Sequence, residues 1–153
     1  MKIINRHIGG GVDKLGETYT VHYTSSVKDT FLPAVLREYA DLLDSGHAPE
    51  NTFIGILTQP TPAVYIKYGD EIAANTIFKV DGKHSWMFFT NVADKYQGRG
   101  LYRVLHKHYE PSARMLGAEY SSSLIHHTNE RMLSVNRANG YEIEYHRTTK
   151  KLT

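Results

Sequence analysis

Between Val92 and Arg103 the chain reads V-A-D-K-Y-Q-G-R-G-L-Y-R, with two glycines set between an apolar run and an amphipathic pattern. Upstream, Trp86-Met87-Phe88-Phe89 reads as a buried strand; downstream, Leu101, Val104, Leu105, Tyr109 and Leu116 fall at helical spacing. Gly98 and Gly100 therefore stand where the chain turns and a helix begins. The first N–H groups of a helix have no partner within it, the dipole is positive there, and glycine lets a ligand approach the backbone closely. A diphosphate is the guest that such a turn suits, although two glycines also serve an ordinary strand-to-helix connection. No Gly-Lys-Ser/Thr follows, so this is not a Walker loop. The full G-x-G-x-x-G with a downstream ribose-binding acid is missing too, which disfavours a dinucleotide.

A second segment, Asn129 to Tyr141, reads N-E-R-M-L-S-V-N-R-A-N-G-Y. Together the two segments resemble the GNAT superfamily of N-acetyltransferases, whose acyl-CoA signature is a strand ending in Val, then Q/R-G-x-G-L/I, a helix, a strand, and N-x(10)-G-F/Y. Val92, Gln97, Gly98, Gly100 and Leu101 match the first part, and Asn129, Gly140 and Tyr141 the second. The resemblance covers the C-terminal half closely and the N-terminal half in layout. It implies an α/β fold with a mixed, mostly antiparallel central sheet and a splayed parallel strand pair flanked by helices. It also implies an acetyl-CoA-dependent N-acetyltransferase, transferring acetyl to a primary amine of a small molecule or protein by direct attack in a ternary complex.

By the same resemblance, backbone groups near Thr90 and Val92 pair with pantetheine, and the amides of Gln97, Gly98, Arg99, Gly100, Leu101, Tyr102 and Arg103 take the pyrophosphate. Arg99 and Arg103 either add charge to it or are ordinary solvated arginines at a helix start. Asn129 matches a pantetheine contact; it is also a good N-cap for the helix that follows, and the two roles can coexist. Two positions depart from the family's pattern. Tyr102 replaces the small residue that ends the turn, and Asn136 stands where a general-acid tyrosine is frequent. An amide can donate a hydrogen bond to a departing thiolate but cannot supply its proton at neutral pH. Asn136 thus either stabilises the leaving group electrostatically or is a helix-face residue without a chemical task.

The chain has no cysteine, which excludes disulfides, thiolate zinc sites and a cysteinyl acyl-enzyme. Direct attack then needs a base for the amine proton. His84, His126 and His127 are candidates by their titration range, and the latter two end a strand beside the expected acyl site. Strand alternation turns these neighbours to opposite faces, so at most one meets the acceptor, and neither pairs readily on a metal. Each histidine is also an ordinary surface or structural residue by default. Tyr39, Trp86, Phe88 and Tyr120 can line an acceptor pocket or belong to the core. Two other functions fit the residues: a non-catalytic acyl-CoA sensor, and a nucleic-acid-modifying transferase on the same scaffold.

Length and composition, 153 residues with a net charge of +2, suit a single domain over residues 1–153. No apolar run is long enough for a membrane span or a signal peptide, so a cytoplasmic location is expected. The basic end Arg147 to Lys151 is short, and without a basic stripe nucleic acid is a disfavoured partner. The expected partners are acetyl-CoA and an amine acceptor, with a homodimer open through an exposed final strand.

The elements that must position the site follow from pattern. Glu17 to Thr24 alternates as a half-buried first strand, preceded by a flexible Gly9-Gly10-Gly11 lead-in. Ser25 and Ser26 offer caps for a helix beginning near Asp29 or Thr30, whose stripe is Phe31, Val35, Leu36, Tyr39, Leu42 and Leu43, ending at Gly46; Pro33 then lies in its first turn. Ala63 to Tyr68, Ile72 to Val80 and Lys83 to Val92 read as successive strands separated by Gly69-Asp70 and the hairpin signal Asp81-Gly82. Ala118 to Ile125 is the next strand. A helix with Met132, Leu133 and Val135 follows Asn129, and Tyr141 to Arg147 closes the sheet.

Overall fold

The computed structural model describes residues 2–31, 33–34, 36–37, 40, 55–56, 58–123 and 129–142. Among the described residues six strands lie side by side in chain order: β1 (Asn5–Val12), β2 (Thr18–Thr24), β3 (Ala63–Tyr68), β4 (Glu71–Asp81), β5 (His84–Val92) and β6 (Tyr120–Ser123). Neighbours from β1 through β5 are antiparallel, and β6 runs parallel to β5. A 3-10 turn (Asp94–Tyr96) and helix α1 (Leu101–Met115) connect β5 to β6, and α2 (Glu130–Ala138) follows. This is the expected mixed, mostly antiparallel sheet with one parallel pair.

Hairpins β3–β4 and β4–β5 close through two-residue loops, with Tyr68 opposite Glu71 and Asp81 opposite His84. Gly69 and Gly82 each take the first loop position at φ +59°, the place where a two-residue turn with the sheet's twist asks for glycine. Strand β4 is central, and Ala73 through Phe78 are buried without interruption, as befits a strand covered on both faces. On one face α1 lays Leu101, Leu105, Tyr109 and Ala113 against Val21, Val64, Ile66 and Phe78. The other face gathers Val27, Phe31, Ile56, Ala63, Tyr65, Ile77 and Phe89.

The N-terminal half departs from the sequence reading in four places. Gly9-Gly10-Gly11 is the middle of β1, which makes the 18–24 strand the second one. Crowding explains the glycines: a Cβ on Gly9 would lie 2.6 Å from His108 Cε1 of α1, and one on Gly11 would lie 2.7 Å from the Tyr19 hydroxyl. Ser25 is no cap, for its Oγ accepts from Ile4 N at 2.8 Å and its N–H donates to Ile4 O, continuing the β1–β2 ladder. Residues 28–31 form a turn and Pro33 is helical, so the helix starts after Asp29 and Thr30, with proline where its missing N–H costs little. Leu36, expected in the buried stripe, is 42% exposed. Val35, Tyr39, Leu42, Leu43 and Gly46 lie outside the described residues.

In the C-terminal half, β6 begins at Tyr120, two residues later than expected, and Leu124 and Ile125 lie outside the described residues. Tyr141 and Glu142 are not in a strand; residues 143–147 of the expected closing strand lie outside too. In β5, Met87 pairs with Phe78 and Phe89 with Ile77, leaving Phe88 as an extra residue. Such a bulge bends its strand and reverses the faces beyond it: Met87 packs on the α1 side and Phe89 on the other. The described parallel pairing runs from His84–Tyr120 to Met87–Ser123, so it ends one residue before the bulge.

Candidate active site

After Val92 the chain makes the Asp94–Tyr96 turn, held by the buried Tyr96, whose hydroxyl donates to Glu71 Oε2 at 2.6 Å. Lys95 reaches the same carboxylate oxygen at 3.0 Å. Gln97 is extended, and Gly98 and Gly100 follow in the left-handed region at φ +78° and +84°, which only glycine enters at little cost. Gly100 is the N-cap of α1. It provides no side-chain acceptor, and the first turn of the helix carries no acidic residue. Helix α2 shows the contrast: Asn129 Oδ1 accepts from Met132 N at 3.3 Å, and Glu130 occupies the first turn. The start of α2 is satisfied by its own residues, whereas that of α1 is open to an external anion.

The side chains around the α1 start serve the protein itself. Leu101 is buried in the core. Gln97 Nε2 donates to Val92 O at 3.0 Å, so the amide locks the turn onto the end of β5. Tyr102 does not point into solvent. It packs against the core beside Val104, under the Arg131 guanidinium at 5.5 Å from the ring centre. Burial pushes its phenol above the ordinary value, while Arg131 and a backbone hydrogen bond to Val92 pull the other way. Arg103 is exposed on α1, and Thr90 pairs with Thr76 in the ladder, their hydroxyls 3.3 Å apart.

Arg99 is committed elsewhere. Its guanidinium meets Asp13 Oδ2 at 3.1 Å and Glu17 Oε2 at 2.9 Å and lies over the rings of Tyr96 and Tyr68 at 5.0 and 5.5 Å. Asp13, in the β1–β2 turn, also accepts from Leu15 N, Glu17 N and the Tyr68 hydroxyl. Burial alone would raise its carboxyl; the hydrogen bonds from Tyr68, Glu17 N, Arg99 and Leu15 N outweigh burial and hold it at about 2. A depressed carboxyl stabilises the fold fully above its unfolded value near 3.8 and loses that contribution as pH falls through about 2. Asp13→Asn should therefore destabilise the protein at neutral pH, and urea melts should show the gap from wild type closing between about pH 4 and 2.

The second signature has a mechanical role. Gly140 at φ +87° lets the chain leave α2, with its N–H on Arg137 O and that of Tyr141 on Asn136 O. Tyr141 turns back so that its hydroxyl meets Ser121 Oγ at 2.8 Å. Ser121 joins the Tyr109 hydroxyl at 2.6 Å, and that donates to Ser85 Oγ at 2.7 Å. One hydroxyl chain thereby ties α1, β5, β6 and the exit of α2. Asn136 is buried, its Nδ2 donating to Ser123 Oγ at 2.8 Å and its Oδ1 unpaired.

No family model matches the chain, and no curated protein is detectably similar in sequence. Solved structures are similar in fold. A provisionally assigned acetyl transferase from Pyrococcus furiosus superposes with a TM-score of 0.71 at 15% identity, covering 88% of this chain and 99% of that one. The ribosomal-protein-S18-alanine N-acetyltransferase of Escherichia coli matches at 0.61 and 21% identity, over 80% and 76%. AAC(6')-Iy in complex with the bisubstrate analogue CoA-S-monomethyl-acetylneamine matches at 0.57 and 13%, over 100% and 99%.

The fold is that of the GNAT-type acetyltransferases. Within this GNAT-type fold, the turn at Gly98 and Gly100 links the end of β5 to α1, and Asn136 brings α2 onto Ser123 of β6. His84 does not join them. It sits at the start of β5, eight residues or roughly 26 Å of extended strand from Val92, with Nε2 on Ser122 Oγ at 2.6 Å and its ring stacked on Trp86 at 4.7 Å. Trp86, Phe88 and Tyr120 are 37%, 40% and 64% exposed, so they are not core. His126, His127 and Tyr39 lie outside the described residues. Sequence reasoning missed Asp13 and Lys14 of the β1–β2 turn and the three serines of β6. The Asp13 to Gly16 spacing was a turn signal that gave no hint of what the turn would touch. Among the described residues no side-chain cluster fits a metal ion, and no helix is long and apolar enough to cross a membrane.

Proposed function

We propose that the protein is a single-domain, acetyl-CoA-dependent N-acetyltransferase that modifies a primary amine. The start of α1 carries this reading: a helix with neither side-chain cap nor acidic first turn, behind two left-handed glycines, offers unpaired amides to a diphosphate. The bulge at Phe88 supports it, since it bends β5 ahead of that start, where this reading runs the coenzyme's arm. The fold neighbours named above, one of them held with a CoA conjugate, agree in kind.

In this reading a neutral amine attacks the thioester carbonyl directly, and holding both reactants together supplies much of the rate. Asn136 Nδ2, which donates to the Ser123 hydroxyl, and that hydroxyl donate hydrogen bonds to the departing thiolate in this reading, and solvent supplies its proton. His126 or His127 takes the amine proton. Replacing each singly with alanine should lower turnover at unchanged coenzyme affinity for one of them; unaffected turnover in both variants removes histidine as the base.

Titration calorimetry with acetyl-CoA, and with coenzyme A and ATP as controls, tests the whole reading. Micromolar binding of acetyl-CoA without binding of ATP is expected, followed by release of free thiol with a panel of amines. Absence of acetyl-CoA binding overturns it. The amide at position 136 favours one second reading, a non-catalytic acyl-CoA sensor, and binding without turnover on that panel would establish it.

A further inference from the structure

The α1 start is short of charge from its own turn. Arg99, the turn's internal cation, has a side chain only 12% exposed and faces two carboxylates, Asp13 and Glu17. Counted together these three groups carry a net negative charge, an unfavourable neighbour for a diphosphate. The same contacts fix where the β1–β2 turn lies. Asp13 Oδ1 shapes the turn through Leu15 N and Glu17 N, while Oδ2 anchors it to Arg99 and Tyr68. Lys14, the next residue, is thereby carried across Gly100. Its Cε lies 3.3 Å, and its Nζ 3.9 Å, from the point where a Cβ of residue 100 would stand. The lysine stem thus uses the space that glycine leaves empty. Lys14 is exposed, and among the described residues its ammonium makes no ion pair or hydrogen bond.

Resting on the function proposed above, we propose that Lys14 is a coenzyme-binding residue whose ammonium meets the diphosphate at the start of α1, and that Arg99 positions it as a clasp on Asp13 and Glu17. A lysine is suited to this as a mobile point charge, whereas a guanidinium already shared by two carboxylates has little left to offer. Lys14 also brings the charge of the turn back to neutral where the anion arrives. The binding site is accordingly built from two distant segments, the β1–β2 turn and the loop before α1.

Calorimetry with acetyl-CoA on the wild type, Lys14→Gln and Lys14→Arg tests the assignment, since the wild-type titration first decides whether the coenzyme binds at all. If it does, Lys14→Gln should weaken binding about tenfold and flatten its dependence on salt, and Lys14→Arg should stay within about threefold. Acetyl-3′-dephospho-CoA, which keeps the diphosphate, should show the same loss. Unchanged affinity in Lys14→Gln overturns the proposal, as does a loss that disappears with the dephosphorylated coenzyme. A loss that Lys14→Arg shares in full also overturns it, because that would mark packing of the stem rather than charge.

Discussion

Gly100→Glu is expected to weaken acetyl-CoA binding by roughly a hundredfold or more, about 2.7 kcal/mol, while leaving a folded protein. Three effects act together. Residue 100 sits at φ +84°, where a side chain costs about 1–2 kcal/mol. A new Cβ would press on Lys14 Cε at 3.3 Å and displace the ammonium from the approach. The carboxylate itself would compete for the amides that the α1 start leaves free and repel the diphosphate. Gly98 is the control: it has similar φ but nothing within 4 Å of its Cβ position, so Gly98→Ala should cost the conformational strain alone. Parallel calorimetry and thermal melts check this. Full affinity in Gly100→Glu would remove the turn from the coenzyme site.

Tyr109→Ala should cause the largest loss of stability of any single change at the site's foundation, about 3–5 kcal/mol. The side chain is fully buried, meets Phe78 edge to face at 5.0 Å, and its hydroxyl stands between Ser85 on β5 and Ser121 on β6. Tyr109→Phe keeps the ring and removes only the hydroxyl. It leaves the buried Ser85 and the half-buried Ser121 each short of one partner, for an expected cost of about 1–3 kcal/mol. Denaturant melts of both variants separate packing from hydrogen bonding. A Phe variant as stable as the wild type would show that the serines re-pair with each other or with water, and that the hydroxyl chain does not hold the parallel strands together.

What was legible in the sequence was local. Ala63–Tyr68 was readable to the residue, because alternation and the flanking Gly69-Asp70 are short-range signals. The helix behind Gly100 was equally plain from its stripe, and Asn129 from its capping chemistry. What was hidden depends on contacts far apart in the chain. The glycines of β1 look like a breaker; they are small because α1 and Tyr19 crowd them, and neither neighbour announces itself in residues 9–11. Arg99 looks like a phosphate ligand until Asp13 and Glu17, more than eighty residues away, are placed beside it. The N-terminal helix began late because Ser25 was claimed by the β1–β2 ladder, a competition that capping preference cannot foresee. Phe88 reads as one more core aromatic, and its place in a bulge follows from the register with β4.

Adjacent strands β1 to β5 are bonded along most of their length, and the β3–β4–β5 ribbon is closed by loops of two residues. Strand β6 is attached differently: among the described residues it pairs with β5 over four positions, and no hairpin joins the two, because the connection passes through all of α1. In a hydrogen-exchange experiment the amides of β4 should therefore exchange only with global unfolding, and those of β6 through a cheaper partial opening. That partial opening would part β5 from β6, where the coenzyme's arm is expected to lie in the proposed reading. A bound coenzyme would slow exchange in β6 more than in the other described strands, so the seam expected to open first is also the one with most to gain from its ligand.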